Sequence, residues 1–240
     1  MVILIHAVII VDDGDQLRII TQPDHARLAS ELLSLWRTHG LPEHPRRDSL
    51  LFAVREHDNG WREADAAPWI DPVHHRPFDF LTYPEEARRE LWQRGMARFA
   101  DGDPLVALLI AAHAEAIHQP LGASWQALFE TLEAQRQEWL ERAGIDQATL
   151  QDDYRWLRLA DSLSLAFCTR RDDPLAGPIV TAGVEGEFLR LDPFPLAGTT
   201  TFQIPARWVP NRPYDSDSQF GGELARARWD RLRMRVAAFE

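Results

Sequence analysis

The sequence has little cysteine, few positive charges and no long apolar run, and each shortage excludes a class of protein. The single cysteine, Cys168, rules out an internal disulfide framework and fits a reducing cytoplasm. The 26 basic residues are outnumbered by 37 acidic ones, and the formal charge of −11 argues against binding to nucleic-acid phosphates or an anionic membrane. We therefore expect a cytoplasmic protein that binds neither.

The one stretch similar to a targeting signal is MVILIHAVIIV at residues 1–11. It lacks a basic segment and a small-residue cleavage site, and Asp12 and Asp13 follow it directly. No other stretch approaches the roughly 18 apolar residues of a membrane span. Gly-rich phosphate loops, Gly-x-Ser-x-Gly elbows and Cys-x-x-Cys pairs are also missing. We expect neither a signal peptide nor a spanning segment.

What the sequence does contain is a strong helical pattern between two β-rich ends. The chain has 240 residues, of which 45% are hydrophobic, so it can bury a sizeable core. Residues 7–11 and 17–20 flank an Asp/Gly turn and predict a β-hairpin. Apolar residues then recur at helical spacing, and residues 105–117 are apolar nearly all round, which indicates a central buried helix.

These signals predict a single domain over residues 1–240 with a mostly α fold. Residues 22–169 form the helical core, and residues 60–83, which contain three prolines, form a long loop inside it. Short strands between glycines and prolines follow residue 170. We expect residues 1–21 and 175–240 to form a small accessory antiparallel sheet, in which the N-terminal hairpin pairs with the C-terminal strands.

Four polar residues occupy positions where the helical pattern requires apolar ones. His25 shares a face with the apolar residues that follow it, and His57 and Asp58 share a face with those that precede them. Asp161 lies on the apolar face of the last long helix. All four side chains should therefore point inward.

Two inward aspartates and two inward histidines could satisfy one another by binding a metal ion. A buried carboxylate is costly unless it is paired or binds a cation. Mixed imidazole and carboxylate ligands suit Fe, Mn, Zn, Co or Ni better than Ca or Mg. Plain structural roles stay open, because each histidine could be a hydrogen-bonded core residue, Asp58 could shape a helix end, and Asp161 with Ser162 could form a local hydrogen bond.

The order of these residues resembles that of the HD-domain superfamily of metal-dependent phosphohydrolases. There the ligands follow the order His, His-Asp, Asp, as in His25, His57-Asp58 and Asp161 here. The resemblance covers about residues 22–169. The strings QPDHARLA, AVREHDNGW, LLIAAH and LADSLSLAFC are also similar to a bacterial family known only as a domain of unknown function, over most of the chain.

The HD resemblance implies an HD-like helical bundle and roles for individual residues. His25, His57, Asp58 and Asp161 would bind the metal, and we expect one ion because the sequence departs from a full dinuclear pattern. His113, on the central helix, is the candidate for the additional histidine that many HD enzymes have. It could bind a second ion, contact a phosphate or act as a general acid.

Several neighbouring residues are candidates for the reaction that this resemblance implies, metal-assisted hydrolysis. Glu56 or Asp65 could orient the attacking water. Arg27 and Arg55 could bind a phosphate, since guanidinium matches its geometry. Trp61 could form a pocket wall. A surface, salt-bridge or packing role is open for each of them.

Three functions remain open at this point. The first is a metal-dependent hydrolase of a phosphate ester or nucleotide-like small molecule, which would be its phosphorylated substrate. The second is an oxygenase with two iron ions, as the HD resemblance allows. The third is a non-catalytic sensor that binds a metal or ligand. The sequence leaves the oligomeric state open.

Overall fold

The helices lie mainly in the first three quarters of the chain. The computed structural model describes residues 8–118, 123–171 and 173–239, so the first seven residues of the stretch similar to a targeting signal lie outside it. Within these ranges the α-helices are α1 (Gln22–Ser34), α2 (Arg47–Glu56), α3 (Arg62–Ala66), α4 (Glu85–Ala100), α5 (Pro104–His118), α6 (Ala123–Ala143), α7 (Gln147–Thr169) and α8 (Asp217–Arg226). A short 3-10 helix, Asn59–Trp61, connects α2 to α3.

The strands come from both ends of the chain. They are β1 (Ile9–Asp13), β2 (Gln16–Ile20), β3 (Ile70–Asp71), β4 (Arg76–Pro77), β5 (Leu175–Ala176), β6 (Thr181–Glu185), β7 (Phe188–Asp192), β8 (Thr200–Pro210) and β9 (Trp229–Ala238). In the described residues one seven-stranded sheet has the order β1-β2-β8-β9-β7-β6-β5. Its pairs are antiparallel except β7 and β9, which are parallel. Strands β3 and β4 form a separate hairpin.

The predicted mostly α, HD-like bundle with a small accessory antiparallel sheet is wrong, and so is an all-α classification. Only 51% of the described residues are helical, and the large sheet is mixed and curled. The N-terminal hairpin does pair with the C-terminal strand β8, but the sheet continues through β9, β7, β6 and β5. The long loop predicted at residues 60–83 also contains α3 and the β3–β4 hairpin.

The sheet is hard to recognise in the sequence because its longest strands carry little continuous apolar pattern. In β9, Met234 and Val236 are buried while the neighbouring Arg233 and Arg235 are exposed. In β8, Pro205 argues against a central strand. However, β2 pairs with residues 207–210 of β8 and β9 with residues 200–207, so Pro205 has a partner strand on one side only. Proline has no backbone N–H. On the side of β8 where Pro205 has no partner strand, the lack of this donor breaks no hydrogen bond between strands.

The helices that carry the candidate ligands pack on one another and on the sheet. Helix α1 contacts α2, α7 and β8, and α5 contacts α2 and α7. The prediction of a central buried helix is confirmed, because α5 is buried from Leu105 to Ala114. One cluster of buried side chains runs from Ile9 in the sheet through these helices to Val236. In the described part of the chain, none of the helices has both the length and the apolar character needed to cross a membrane.

Candidate metal centre

The four predicted ligands meet at one buried point between three helices. His25 lies in the first turn of α1, and His57 and Asp58 follow the last residue of α2. Asp161 lies on the inner face of α7. Both histidines are at most 1% exposed and both aspartates are 7% exposed, so the cluster is shielded from bulk water.

The position of Asp58 is fixed by the turn that follows it. Asn59 Nδ2 donates to the carbonyl oxygen of Gly95 in α4 at 3.2 Å. Gly60 packs so closely on α4 that an added Cβ would lie 2.9 Å from the carbonyl carbon of Leu91. Only glycine fits there, and the turn therefore places the Asp58 carboxylate at a set distance from α4.

Each clustered carboxylate lies close to both histidines. Asp58 Oδ2 lies 2.9 Å from His25 Nε2 and 3.3 Å from His57 Nε2. Asp161 Oδ1 lies 3.6 Å from His25 Nε2 and 3.4 Å from His57 Nε2. Two ligand atoms about 2.1 Å from one ion, at the angles of a tetrahedral or octahedral site, lie roughly 3.0–3.4 Å apart. The four carboxylate–histidine distances, from 2.9 to 3.6 Å, bracket this spacing.

The outer nitrogen of each clustered histidine is held by a neighbouring group. His57 Nδ1 lies 2.7 Å from the carbonyl oxygen of Val54, so it must carry the proton and donate it. The Ser164 hydroxyl donates to the carbonyl oxygen of His25 at 2.8 Å, so it accepts from His25 Nδ1 at 3.0 Å. A partner that fixes the tautomer in this way is typical of metal-ligating histidines.

When both histidines are neutral, these tautomers direct both Nε2 lone pairs at carboxylate oxygens. Lone pairs and negative oxygens repel one another unless a cation lies between them. The buried Nε2 of His57 has no hydrogen-bond partner, although two carboxylate oxygens lie nearby. Either a proton on the histidine or a metal ion would satisfy it.

The electrostatics of the cluster without a metal follow from its burial and its charges. Burial lowers the pKa of His57, but the charges and hydrogen bonds of Asp58 and Asp161 together outweigh this effect and raise the pKa well above its ordinary value. Burial raises the pKa of Asp58, but the charge of His57 and the hydrogen bond with His25 hold it well below its usual range. The pKa of Asp161 is also lowered, against its burial, by the neighbouring histidines. Both carboxylates are therefore ionised at neutral pH.

A third histidine adjoins the cluster from the central helix. His113 Nε2 lies 3.9 Å from Asp161 Oδ2, and the His113 ring packs edge-on against that of His57 at 5.0 Å. Burial lowers the pKa of His113 to about 4. Among the described residues, two overlapping groups could hold a metal ion: His25, His57 and Asp58, and His57, His113 and Asp161.

A cavity of about 170 Å³ opens beside the cluster. It is lined by two residues of the cluster, Asp58 and Asp161, and by the adjoining His113. The other lining residues come mainly from α4, α5 and the loop before α4: Gln22, Trp61, Phe80, Leu81, Arg88, Trp92, Ile117, His118 and Leu165. The centre is thus buried on the side of its histidines and accessible on the side of its carboxylates.

The two acidic residues predicted to orient water lie next to the cluster but do not line this cavity. Glu56 forms an ion pair with Arg62 at 2.5 Å. Asp65 is 3% exposed and accepts a hydrogen bond from the backbone N–H of Gln22 at 2.5 Å. Burial raises the pKa of Asp65 well above its ordinary value.

The predicted substrate-binding residues are divided between the surface and the cavity. Arg27 pairs with Glu31 at 2.5 Å, and the Arg55 side chain is 60% exposed. Neither is among the described residues that line the cavity. Trp61 does line it, and its ring packs against Tyr83 at 5.6 Å.

Sequence reasoning missed several residues that support or face the centre. Ser164 comes three residues after Asp161, and Tyr154, whose hydroxyl lies 3.3 Å from His113 Nδ1, comes seven residues before it. Helical spacing from Asp161 could have identified both as its neighbours. Arg88 and Trp92 are one turn apart on α4. The sequence gives no pattern that distinguishes Arg88 and Trp92, because α4 contains many other charged residues.

The comparisons with known proteins place the chain in a family. No curated protein and no solved structure matches it. A family model described as "Protein of unknown function (DUF3891)" matches residues 8–211, which include the whole candidate centre and helices α1 to α7. The chain therefore belongs to the DUF3891 family of proteins of unknown function.

Proposed function

We propose that the protein is a metal-dependent hydrolase of a phosphate ester or nucleotide-like small molecule. One divalent transition-metal ion would be held by His25, His57, Asp58 and Asp161. The observation that carries the proposal is the buried Nε2 of His57, which has no hydrogen-bond partner and faces two ionised carboxylates. The mixed nitrogen and oxygen ligands suit Fe, Mn, Zn, Co or Ni.

The access of the cavity to the centre supports catalysis over a purely structural site. Structural metal sites are closed, whereas catalytic sites keep an open position for water or substrate. Asp58 and Asp161 both face the cavity as well as the histidines. A metal ion bound there would lower the pKa of a bound water and polarise the phosphoryl oxygen of the substrate.

His113 is suited to accept a hydrogen bond from water at the edge of the centre. With a pKa of about 4 it is neutral at pH 7, and its Nε2 faces Asp161 across 3.9 Å. Its other ring nitrogen contacts the Tyr154 hydroxyl at 3.3 Å, which orients the ring. A water molecule in the cavity could therefore donate to His113 while it attacks the substrate.

The proposal that the substrate contains a phosphate group rests on the resemblance to the HD-domain superfamily. The supporting feature is the order of the four ligands along the chain, since the large mixed sheet is not part of an HD-like bundle. Among the described residues that line the cavity, Arg88 is the one arginine or lysine, and its charge fits an anionic substrate in a protein of charge −11.

The two overlapping ligand groups favour a second candidate, an oxygenase with two iron ions. His57 belongs to both groups, and His113 would then bind the second ion. Two iron ions per chain, together with oxygen consumption and no phosphate release, would identify this function instead.

Phosphate release is the direct test of the proposed function. The protein, purified without chelator, is assayed on nucleoside phosphates, sugar phosphates and p-nitrophenyl phosphate. It is assayed again after EDTA treatment and after Mn²⁺, Fe²⁺, Co²⁺, Ni²⁺ or Zn²⁺ is added back. We expect release that EDTA abolishes and one of these ions restores.

Two variants of α7 separate loss of the centre from loss of the fold. Asp161→Asn should abolish release. Asp153→Asn should retain it, because Asp153 is equally buried but pairs with Arg46 at 2.7 Å, outside the cluster. Phosphate release that survives in Asp161→Asn, or its absence from every metal-loaded sample, would contradict the proposal.

A further inference from the structure

An arginine lines the cavity without a partner for its buried nitrogen. Arg88 lies on α4, one turn before Trp92, and both line the cavity that reaches the candidate centre. The Nε atom of Arg88 is buried and has no hydrogen-bond partner. No side chain in the described ranges forms a salt bridge with Arg88, whereas the next residue, Arg89, pairs with Glu85 at 3.1 Å.

Arg88 shares the cavity with the clustered carboxylates but does not pair with them. Arg88, His118, Asp58 and Asp161 are all described residues that line it, and no ion pair joins Arg88 to either aspartate. The guanidinium is therefore out of direct contact with both carboxylates. Burial lowers the pKa of His118 to about 3, and the positive charge of Arg88 adds to this effect.

Apolar side chains supply much of the lining of the cavity. Trp61, Trp92 and Phe80 form part of its walls. Leu81 and Ile117 also line it and are 69% and 50% exposed, so apolar surface continues from the cavity to the outside. An apolar cavity of about 150 Å³ accommodates one benzene ring, and this cavity measures about 170 Å³.

We propose that Arg88 binds a second anionic group of the substrate, separate from the group that is cleaved at the metal centre. The substrate class is then a small molecule with three parts: a hydrolysable ester, an apolar or single-ring segment, and a carboxylate or phosphate at the far end. This inference rests on the proposed function and deepens it. Arg88 is a specificity-determining residue, because guanidinium binds planar carboxylates and phosphates through paired hydrogen bonds.

Equilibrium binding of a matched pair of probes tests this role without requiring turnover. Phenylacetate and phenylacetamide have the same shape and differ in charge. Their affinities are measured by the change in tryptophan fluorescence, since Trp61 and Trp92 line the cavity. The samples are the wild-type protein, Arg88→Gln and the control Arg89→Gln, each as purified and after EDTA treatment.

We expect the wild-type protein and Arg89→Gln to bind phenylacetate at least tenfold more tightly than phenylacetamide. Arg88→Gln should bind both probes about equally, with the affinity for phenylacetamide unchanged. EDTA should leave the preference of the wild-type protein in place, because Arg88 and not the metal holds the carboxylate.

Three results would overturn the inference: equal binding of both probes by the wild-type protein, a preference that survives in Arg88→Gln, or a preference that EDTA alone removes. The last result would mean that the metal holds the carboxylate. The phosphate-release assay is read separately. An Arg88-dependent preference without phosphate release would therefore support the ligand chemistry and reject the hydrolase.

Discussion

At the scale of single residues, the tautomers of the histidines are the feature that links the structure to chemistry. Both His25 and His57 use Nδ1 for a hydrogen bond inside the protein, to Ser164 and to the Val54 carbonyl oxygen. The Nε2 of His57 is left for a ligand, whereas the Nε2 of His25 lies 2.9 Å from Asp58 Oδ2. A core histidine with only a structural role would have partners for both nitrogens, and His57 does not.

Ser164 should act as a positioning residue for His25. Replacing it with alanine removes the acceptor that fixes the His25 tautomer, and loss of such a partner typically costs 10–100-fold in metal affinity. We expect Ser164→Ala to weaken Zn²⁺ binding by about tenfold or more. The measurement is a competition titration against a chromophoric chelator.

Ser162→Ala, two residues away on α7 and only partly buried, is the matched control and should bind Zn²⁺ like the wild-type protein. Equal affinities of Ser164→Ala and the wild-type protein would show that the Ser164 hydroxyl has no part in metal binding.

The clustering of His25, His57, Asp58 and Asp161 could be predicted from the sequence because each occupies a position where the helical pattern requires an apolar residue. Asp161, for example, follows Leu157 by one turn, and Leu157 is fully buried. Arg88 could not be predicted in this way, since it lies among other charged residues of α4. Arg88 differs from the other charged residues of α4 because it lines the cavity, and the cavity depends on tertiary packing.

At the scale of elements, the centre depends on short connections that hold helices in register. Asp65 in α3 accepts from the backbone N–H of Gln22, the first residue of α1. His25 lies three residues further along α1. This hydrogen bond therefore couples the segment after Asp58 to the helix that carries His25.

Asp65 should make the stability of the protein depend on pH. Burial raises its pKa in the folded state above the unfolded value of about 3.9. Its contribution is therefore fully present below about pH 4 and is lost as the pH rises through the raised pKa. Asp65→Asn, which resembles the neutral acid, should gain stability relative to the wild-type protein between pH 5 and pH 8.

The measurement is the urea midpoint at both pH values, with Asp152→Asn as an exposed control on α7. The control should keep the same difference from the wild-type protein at pH 5 and pH 8. If Asp65→Asn did the same, Asp65 would be ionised in the folded protein.

At the scale of the whole molecule, the sheet and the helices share one core, and the sheet supports the helices that carry ligands. Helix α1 contacts β8, and α7 contacts β1 and β6. The buried Arg18 of β2 donates through Nη2 to the carbonyl oxygen of Cys168 near the end of α7 at 2.9 Å. The sheet thus helps to set the separation of His25 and Asp161.

The helical part of this architecture could be predicted, but the size of the sheet could not. Helices carry a local signal in apolar spacing and caps, such as Asp146, whose side chain accepts from the Thr149 N–H at 2.8 Å. The sheet depends on pairing between distant segments, such as β2 with β8 and β7 with β9. Such pairing leaves little trace in any one strand.

The metal content of the protein, purified without chelator, tests the central claim most directly. Elemental analysis by mass spectrometry would compare the wild-type protein with Asp58→Asn, Asp161→Asn and the buried control Asp153→Asn. We predict about one divalent transition-metal ion per chain in the wild-type protein and in Asp153→Asn, and loss of this ion from the other two variants. A wild-type protein without any such ion, or full retention of it in both Asp58→Asn and Asp161→Asn, would contradict the account.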